Sequence, residues 1–242
     1  MGEPKLVEIK DAEKIIFVGD THGDLEASQK VIQDYLKPGN VLIFLGDYVD
    51  RGLFSKQNLD FLLENKTESP SQVYLLQGNH EGHRILELSP ADFWEGLDRE
   101  LYELYASIVE RLPLVAVSKD IIALHGALPD VENLAEINQI ELGSEKWEQI
   151  TWGDWTEAEG EQLASISTGR PLFGRGWFFR IMNRLKKKVL VRAHQPRAPQ
   201  LLFDNKCLTI FTSSAYGRER TIAIADLSKP IKDARDLEIR VI

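Results

Sequence analysis

Three short apolar runs in the first third of the chain each end in glycine followed by a polar residue. They are KIIFVGD, VLIFLGD and VYLLQGN, over residues 14–20, 41–47 and 73–79. Continuous apolar runs of this length predict buried strands. Between them, residues 24–36 and 55–65 have apolar side chains at helical spacing, with Asp24 and Ser55 as predicted N-caps. Alternating strands and helices at this spacing predict parallel pairing with crossover helices, which is an α/β fold.

The rest of the chain is less regular. We expect a long helix over residues 90–111, a hairpin around 118–120, and loops with short helices over 129–172. A helix over 177–188 and three more strands, over 189–193, 208–212 and 221–225, complete the prediction. There is no linker, repeat or low-complexity segment, so we expect one domain over residues 1–242.

Composition restricts the class of protein. One cysteine cannot form an intrachain disulfide, so a reducing compartment is expected, with the cytoplasm as the default. The longest unbroken apolar runs, such as residues 112–117, are far shorter than the roughly 20 residues of a membrane span, so no membrane association is expected. The net charge of −9 argues against a nucleic-acid partner bound through general electrostatics.

Polar side chains with metal-binding chemistry follow the predicted strands. Four of the five histidines lie at or just after strand ends, and the candidate residues are Asp20, His22, Asp47, Asn79, His80, His125 and His194. The carboxyl ends of strands in open α/β sheets gather at one edge, so these side chains can meet there. A mixed oxygen and nitrogen set without thiolate suits Mn, Fe or Zn. One aspartate can bridge two ions, and Arg51 can bind phosphate oxygens.

The three motifs at these strand ends resemble those of the PPP family of serine/threonine protein phosphatases, within the metallophosphoesterases. They are GDTHG at residues 19–23, GDYVDRG at 46–52 and GNHE at 78–81, separated by 22 and 25 residues. LHG at 124–126 and RAHQ at 192–195 resemble the two later histidine motifs of the family. The resemblance covers residues 14 to about 217 and implies an αββα sandwich of two mixed sheets flanked by helices, with the active site at the strand carboxyl ends. Because the chain ends soon after the last predicted strand, we expect a compact prokaryotic-type member.

The resemblance also implies a role for each site residue. Two divalent ions, Mn above all, with Fe, Zn or Co as alternatives, would be held by Asp20, His22, Asp47, Asn79, His125 and His194, with Asp47 shared. A hydroxide bridging the two metals would attack the phosphorus directly. His80 would be the general acid, oriented by Asp50, and the substrate would be bound by Arg51, Asn79, Arg175 and Tyr216. Arg170 and Arg180 compete with Arg175 for the role of second phosphate clamp.

Three functions are compatible with this resemblance. The first is hydrolysis of phosphoserine and phosphothreonine esters in phosphoproteins or phosphopeptides. The second is hydrolysis of dinucleoside polyphosphates such as diadenosine tetraphosphate on the same dimetal site. The third is a catalytically inactive phosphate-binding module. Tyr48, Val49 and Glu81 match the protein-phosphatase versions of the motifs, which favours the first function.

Overall fold

The computed structural model describes residues 3–163 and 169–242. The helices are α1 Leu25–Tyr35, α2 Ser55–Glu68, α3 Asp92–Glu95, α4 Arg99–Val109, α5 Glu145–Trp152 and α6 Arg175–Arg184. The strands are β1 Leu6–Glu8, β2 Lys14–Val18, β3 Asn40–Phe44, β4 Val73–Leu75, β5 Val115–Ser118, β6 Ile121–Leu124, β7 Asp154–Trp155, β8 Gln162–Leu163, β9 Leu172–Phe173, β10 Val189–Arg192, β11 Leu201–Leu202, β12 Cys207–Thr209, β13 Thr221–Asp226 and β14 Glu238–Val241.

Two mixed sheets carry the architecture. The first has the order β14-β13-β2-β3-β4, and its β2, β3 and β4 pair in parallel as the sequence predicted. The second has the order β1-β5-β6-β10-β12-β11, and its β5 and β6 form the predicted hairpin. A small third sheet, β7-β9-β8, lies in the segment predicted as irregular.

Three apolar clusters show how the layers stack. One lies between the two large sheets and contains residues of both, including Phe17, Ile43, Ala123 and Val191. A second joins the other face of the first sheet to α1, α2, α3 and α4, and a third joins the other face of the second sheet to α5 and α6. The predicted αββα sandwich is therefore confirmed.

Several local predictions need correction. The helix predicted over residues 90–111 is two helices, α3 and α4, which meet near Gly96. Asp24 caps α1 as predicted, because its side chain accepts a hydrogen bond from the Ala27 N–H, but Ser55 does not cap α2. Phe54 occupies the N-cap of α2 and makes no side-chain capping bond.

Among the described residues, no helix has the length and apolar character needed to cross a bilayer.

Candidate active site

The predicted metal ligands meet at one edge of the sandwich. Asp20, His22, Asp47 and Asn79 follow strands of the first sheet, and His125 and His194 follow β6 and β10 of the second. A parallel bridge between Asp20 and Phe211 joins the two sheets at this edge. All six side chains are buried, and none is more than 4% exposed. Each large sheet therefore supplies part of one shared cluster.

The ligand atoms form two groups that share Asp47. In the first, His22 Nε2 lies 3.8 Å from Asp20 Oδ2 and 3.6 Å from Asp47 Oδ2. In the second, His125 Nε2 lies 3.1 Å from Asn79 Oδ1, 3.1 Å from His194 Nδ1 and 3.4 Å from Asp47 Oδ2. A carboxylate shared by two groups of candidate ligands is compatible with a two-ion centre.

Backbone carbonyls orient the histidine rings toward these groups. His22 Nδ1 lies 2.8 Å from the carbonyl of Val49, and His125 Nδ1 lies 2.9 Å from that of Leu45. A carbonyl only accepts, so in both rings Nδ1 carries the proton and Nε2 presents its lone pair. His194 is reversed, because its Nε2 lies 3.1 Å from the carbonyl of Trp152, which leaves Nδ1 free for the cluster. Such outer partners are typical of metal-binding histidines.

The electrostatics of the cluster fit cations. Burial and the nearby Asp47 raise the pKa of Asp20 to about 7, and its Oδ2 is buried without a hydrogen-bond partner. Burial lowers the pKa of His125, but Asp47 and Asp20 outweigh it and raise the pKa to about 9. The carboxylates thus favour positive charge among them, which divalent ions supply when they replace the proton. The residues present fit two divalent metals.

His80 and Asp50 form a buried pair beside the first group. His80 Nδ1 lies 2.5 Å from Asp50 Oδ2, and Asp50 Oδ1 accepts a hydrogen bond of 2.7 Å from the backbone N–H of Phe93. Burial opposes protonation of His80, yet the carboxylates of Asp47 and Asp50 raise its pKa. His80 Nε2 is 3.9 Å from Asp47 Oδ2, so its second nitrogen faces the cluster. The pair holds a proton donor at the edge of the site.

Backbone strain is concentrated in these loops. Five site residues have positive φ angles although they are not glycine, namely His22, Asp47, Asp50, Arg51 and His194. Such conformations are costly for residues with a Cβ and cluster at functional sites. Gly78 permits a close approach between two of the loops, since a Cβ there would lie 2.3 Å from Asp47 Oδ1.

Glu81 holds two of the motifs together, a contribution that the sequence analysis did not identify. Its carboxylate accepts hydrogen bonds from the backbone N–H groups of Asp47 at 2.8 Å, Tyr48 at 2.9 Å and Gly78 at 2.9 Å. Burial and the charge of Asp47 raise the pKa of Glu81 to about 7. The signal in the sequence was the position of Glu81 directly after His80 in the third motif. A glutamate placed at the buried end of a strand needs several hydrogen-bond donors around its carboxylate.

Two of the predicted substrate-binding residues, Arg51 and Tyr216, lie near His22. Arg51 lines a cavity with His22, and Tyr216 Oη is 3.4 Å from His22 Nε2. The loop that carries Tyr216 is tied to Asp24, whose Oδ2 accepts from the Ser214 N–H at 2.9 Å.

The three arginines that compete for the role of second phosphate clamp have different neighbours. The Arg175 guanidinium pairs with Glu157 at 2.7 Å and Asp204 at 2.8 Å. Arg180 pairs with Asp130 and Glu161. Arg170 lies beside a predicted metal ligand, with Nη1 3.3 Å from His194 Nε2.

The model of the calcineurin-like phosphoesterase family matches residues 13–198 of this chain, which include every residue of the cluster. The chain belongs to this family. Metallophosphoesterases of this kind use divalent metals, in agreement with the ligand groups described above.

Relatives of known name are protein phosphatases. A protein of Encephalitozoon cuniculi assigned as a serine/threonine-protein phosphatase is 28% identical over 232 residues, which are 89% of this chain and 50% of the relative. Human serine/threonine-protein phosphatase 5 is 26% identical over 222 residues, 86% of this chain and 44% of the relative. The resemblance to these phosphatases is confirmed, although the chain spans half or less of the length of these two relatives.

Solved structures share the fold. A protein serine/threonine phosphatase from Saccharomyces cerevisiae matches with a TM-score of 0.85 and 23% identity, covering 99% of this chain and 84% of that one. A proposed diadenosine tetraphosphatase matches with a TM-score of 0.61 and 15% identity, covering 99% and 98%. The phosphatase fold is therefore the nearer of these two.

Proposed function

We propose that this chain is a single metallophosphoesterase domain that hydrolyses phosphoserine and phosphothreonine esters in phosphoproteins or phosphopeptides. The observation that carries the proposal is the His80–Asp50 pair at 2.5 Å, placed beside the two groups of candidate ligands that share Asp47. A poor leaving group such as a serine or threonine alkoxide needs a proton as it departs. A positioned, buried histidine with a raised pKa is suited to supply that proton.

Each residue then has a role. Asp20, His22 and Asp47 would hold one divalent ion, and Asp47, Asn79, His125 and His194 the other. Two bound ions supply Lewis-acid activation of a water nucleophile and neutralise charge on the phosphoryl oxygens. Mn is the ion we propose first, because the ligands are oxygen and nitrogen without thiolate.

The substrate is bound by residues around the cluster. Arg51 would clamp the phosphate through paired N–H groups, Asn79 would add a hydrogen bond, and Tyr216 would border the leaving group. For the second clamp we propose Arg170 in place of Arg175. Arg170 Nη1 lies 3.3 Å from His194 Nε2, beside a proposed metal ligand, whereas the carboxylates within 2.8 Å of the Arg175 guanidinium are Glu157 and Asp204, which are outside the cluster.

His80 would deliver its proton from Nε2, since Nδ1 faces Asp50. The carboxylate of Asp50 favours the protonated imidazole before the reaction and keeps the ring aligned as it becomes neutral. After product release, solvent would restore the proton to Nε2.

We also place the chain in the cytoplasm, because its single cysteine, Cys207, is buried and free.

Parallel assays test the substrate class. Purified protein loaded with Mn is offered a phosphothreonine peptide, diadenosine tetraphosphate and p-nitrophenyl phosphate, with a chelator-treated sample as the control. We expect kcat/KM for the peptide to exceed that for the dinucleotide by at least tenfold. A preference for the dinucleotide would overturn the proposal in favour of polyphosphate hydrolysis. Absence of metal-dependent hydrolysis of all three would leave only a binding module.

A further inference from the structure

Two neighbouring apolar side chains are exposed at the edge of the site. Leu53 is 92% exposed and Phe54 is 51% exposed, and among the described large apolar residues Leu53 is the most exposed. We call these two residues the Leu53–Phe54 platform. Single exposed apolar residues are common on protein surfaces, but adjacent ones beside a functional cavity point to a ligand.

The platform belongs to the same cavity as the phosphate-binding residue. Leu53 and Phe54 line a cavity of about 300 Å³ together with His22 and Arg51. Leu53 is two residues from Arg51, so the two Cα atoms are at most about 7 Å apart. A side chain one or two residues from the phosphorylated residue of a bound peptide would reach the platform.

Close backbone packing fixes the platform in place. A Cβ on Gly52 would lie 2.0 Å from the carbonyl oxygen of His22, so this loop is pressed against the backbone of a proposed metal ligand. Ser55 Oγ donates a hydrogen bond of 3.2 Å to the carbonyl of Gly52 and closes the turn. A surface held in this way loses little entropy when it binds.

Folding does not require these residue types. Phe54 stands at the N-cap of α2 without a capping bond, where Ser, Thr, Asp or Asn stabilises a helix. Leu53 extends into solvent and contributes little to the core. Local choices that oppose stability are expected where a surface serves binding.

The charges of the cavity favour an apolar occupant over an acidic one. Arg220 is already paired with Asp24 at 2.8 Å and with Glu26 at 2.9 Å. Arg51 is assigned to the phosphate. An acidic residue next to the phosphorylated residue of the substrate would therefore be repelled by Asp24 and Glu26, because the charge of Arg220 is already engaged by these two carboxylates.

We propose that the Leu53–Phe54 platform binds an apolar side chain of the substrate that flanks the phosphorylated residue. The inference rests on the proposed protein-phosphatase function and adds a sequence preference to it. Burial of an aliphatic side chain on the platform gives about a tenfold advantage in kcat/KM.

Two phosphothreonine peptides test this inference. They differ only in the residues directly before and after the phosphothreonine, which are Leu in one peptide and Ala in the other. The kcat/KM ratio of the two is measured for the wild type, for the double variant Leu53→Ser/Phe54→Ser, and for Leu104→Ser. Leu104 is a matched control, because it is 52% exposed on α4 and does not line the cavity.

We expect a ratio of about ten for the wild type and for Leu104→Ser, and a ratio near one for the double variant. A wild-type ratio near one, with both peptides hydrolysed, would overturn the platform and leave the proposed function intact. Failure of the wild type to hydrolyse either peptide would overturn the function and the platform together. Analytical ultracentrifugation of the same proteins tests whether the platform binds a second copy of the chain instead. Self-association that the double variant abolishes, together with no substrate preference, would overturn the proposal in favour of that interface.

Discussion

His80 Nδ1 lies 2.5 Å from Oδ2 of Asp50, with both side chains buried at the edge of the ligand cluster. Asp50 is itself fixed by the Phe93 N–H, and the carbonyl of His80 accepts a hydrogen bond of 2.8 Å from Trp94 Nε1. Helix α3 thus supports both members of the pair. This relationship gives the first prediction.

Replacement of His80 by Asn should lower kcat for a phosphothreonine peptide by about 10²–10⁴-fold, because general acid catalysis contributes on that scale. The loss should be several-fold smaller for p-nitrophenyl phosphate, whose nitrophenolate leaves without full protonation. Elemental analysis should show the wild-type metal content, since His80 is not a proposed ligand. Equal losses on both substrates would argue against a role in leaving-group protonation.

Removal of metal should abolish activity and lower the thermal stability. Buried Asp20 and Asp47 lose their counter-charge, and saturating metal at about 100 times Kd contributes about 2.7 kcal/mol to folding. For a chain of this size that corresponds to a fall in Tm of about 5–10 °C, measured by scanning calorimetry with and without chelator. The variant Asp47→Asn should show a much smaller metal-dependent change. A Tm that is independent of metal in the wild type would contradict the proposed centre.

Replacement of Arg170 by Ala should lower kcat/KM for phosphopeptides by about 10–100-fold, because a charge-assisted contact to phosphate is lost. Replacement of Arg175 by Ala should change it by less than about threefold, since that guanidinium is held by Glu157 and Asp204. Steady-state kinetics of the two variants side by side measure the contrast. The reverse order would restore Arg175 as the second clamp.

Replacement of Glu81 by Gln should destabilise the fold by about 2 kcal/mol. One carboxylate oxygen becomes an NH2 group, which faces backbone donors instead of accepting from them. Urea denaturation measures the change, and metal affinity should fall as well because the Asp47 loop loses its anchor. Glu87→Gln is the control, since Glu87 is exposed. If both variants unfold at the same urea concentration as the wild type, the anchoring role is wrong.

The central part of the fold could be predicted because its signals are local. The runs ending at Asp20, Asp47 and Asn79 are almost entirely apolar before their glycine, so both their strand character and the position of their polar ends follow from the apolar pattern. The resemblance to the phosphatase motifs implied six metal ligands, and the structure brings these six side chains together. Strand β1 was not predicted, because its sequence, Leu6–Glu8, has only two consecutive apolar residues before a glutamate.

Other features depend on contacts that a linear pattern does not contain. The break between α3 and α4 lies near Gly96, within a segment whose apolar spacing continues across it. The pairing of Arg175 with Glu157 and Asp204 depends on tertiary structure, because these two carboxylates are distant from one another in the sequence. His83, the one histidine outside the motifs, is partly buried and stacks on Trp94 at 5.7 Å, a contact that no linear pattern contains.

The division of the proposed metal ligands between two sheets has a consequence for biosynthesis. Asp20, His22, Asp47 and Asn79 are translated early, but His125 and His194 follow from the opposite sheet much later. A nascent chain therefore presents an incomplete ligand set until His194 has been synthesised and β10 has docked. Full metal affinity would then arise only after both sheets of the sandwich have assembled. A metal ion in the cell would therefore bind completely folded molecules more tightly than partly synthesised ones.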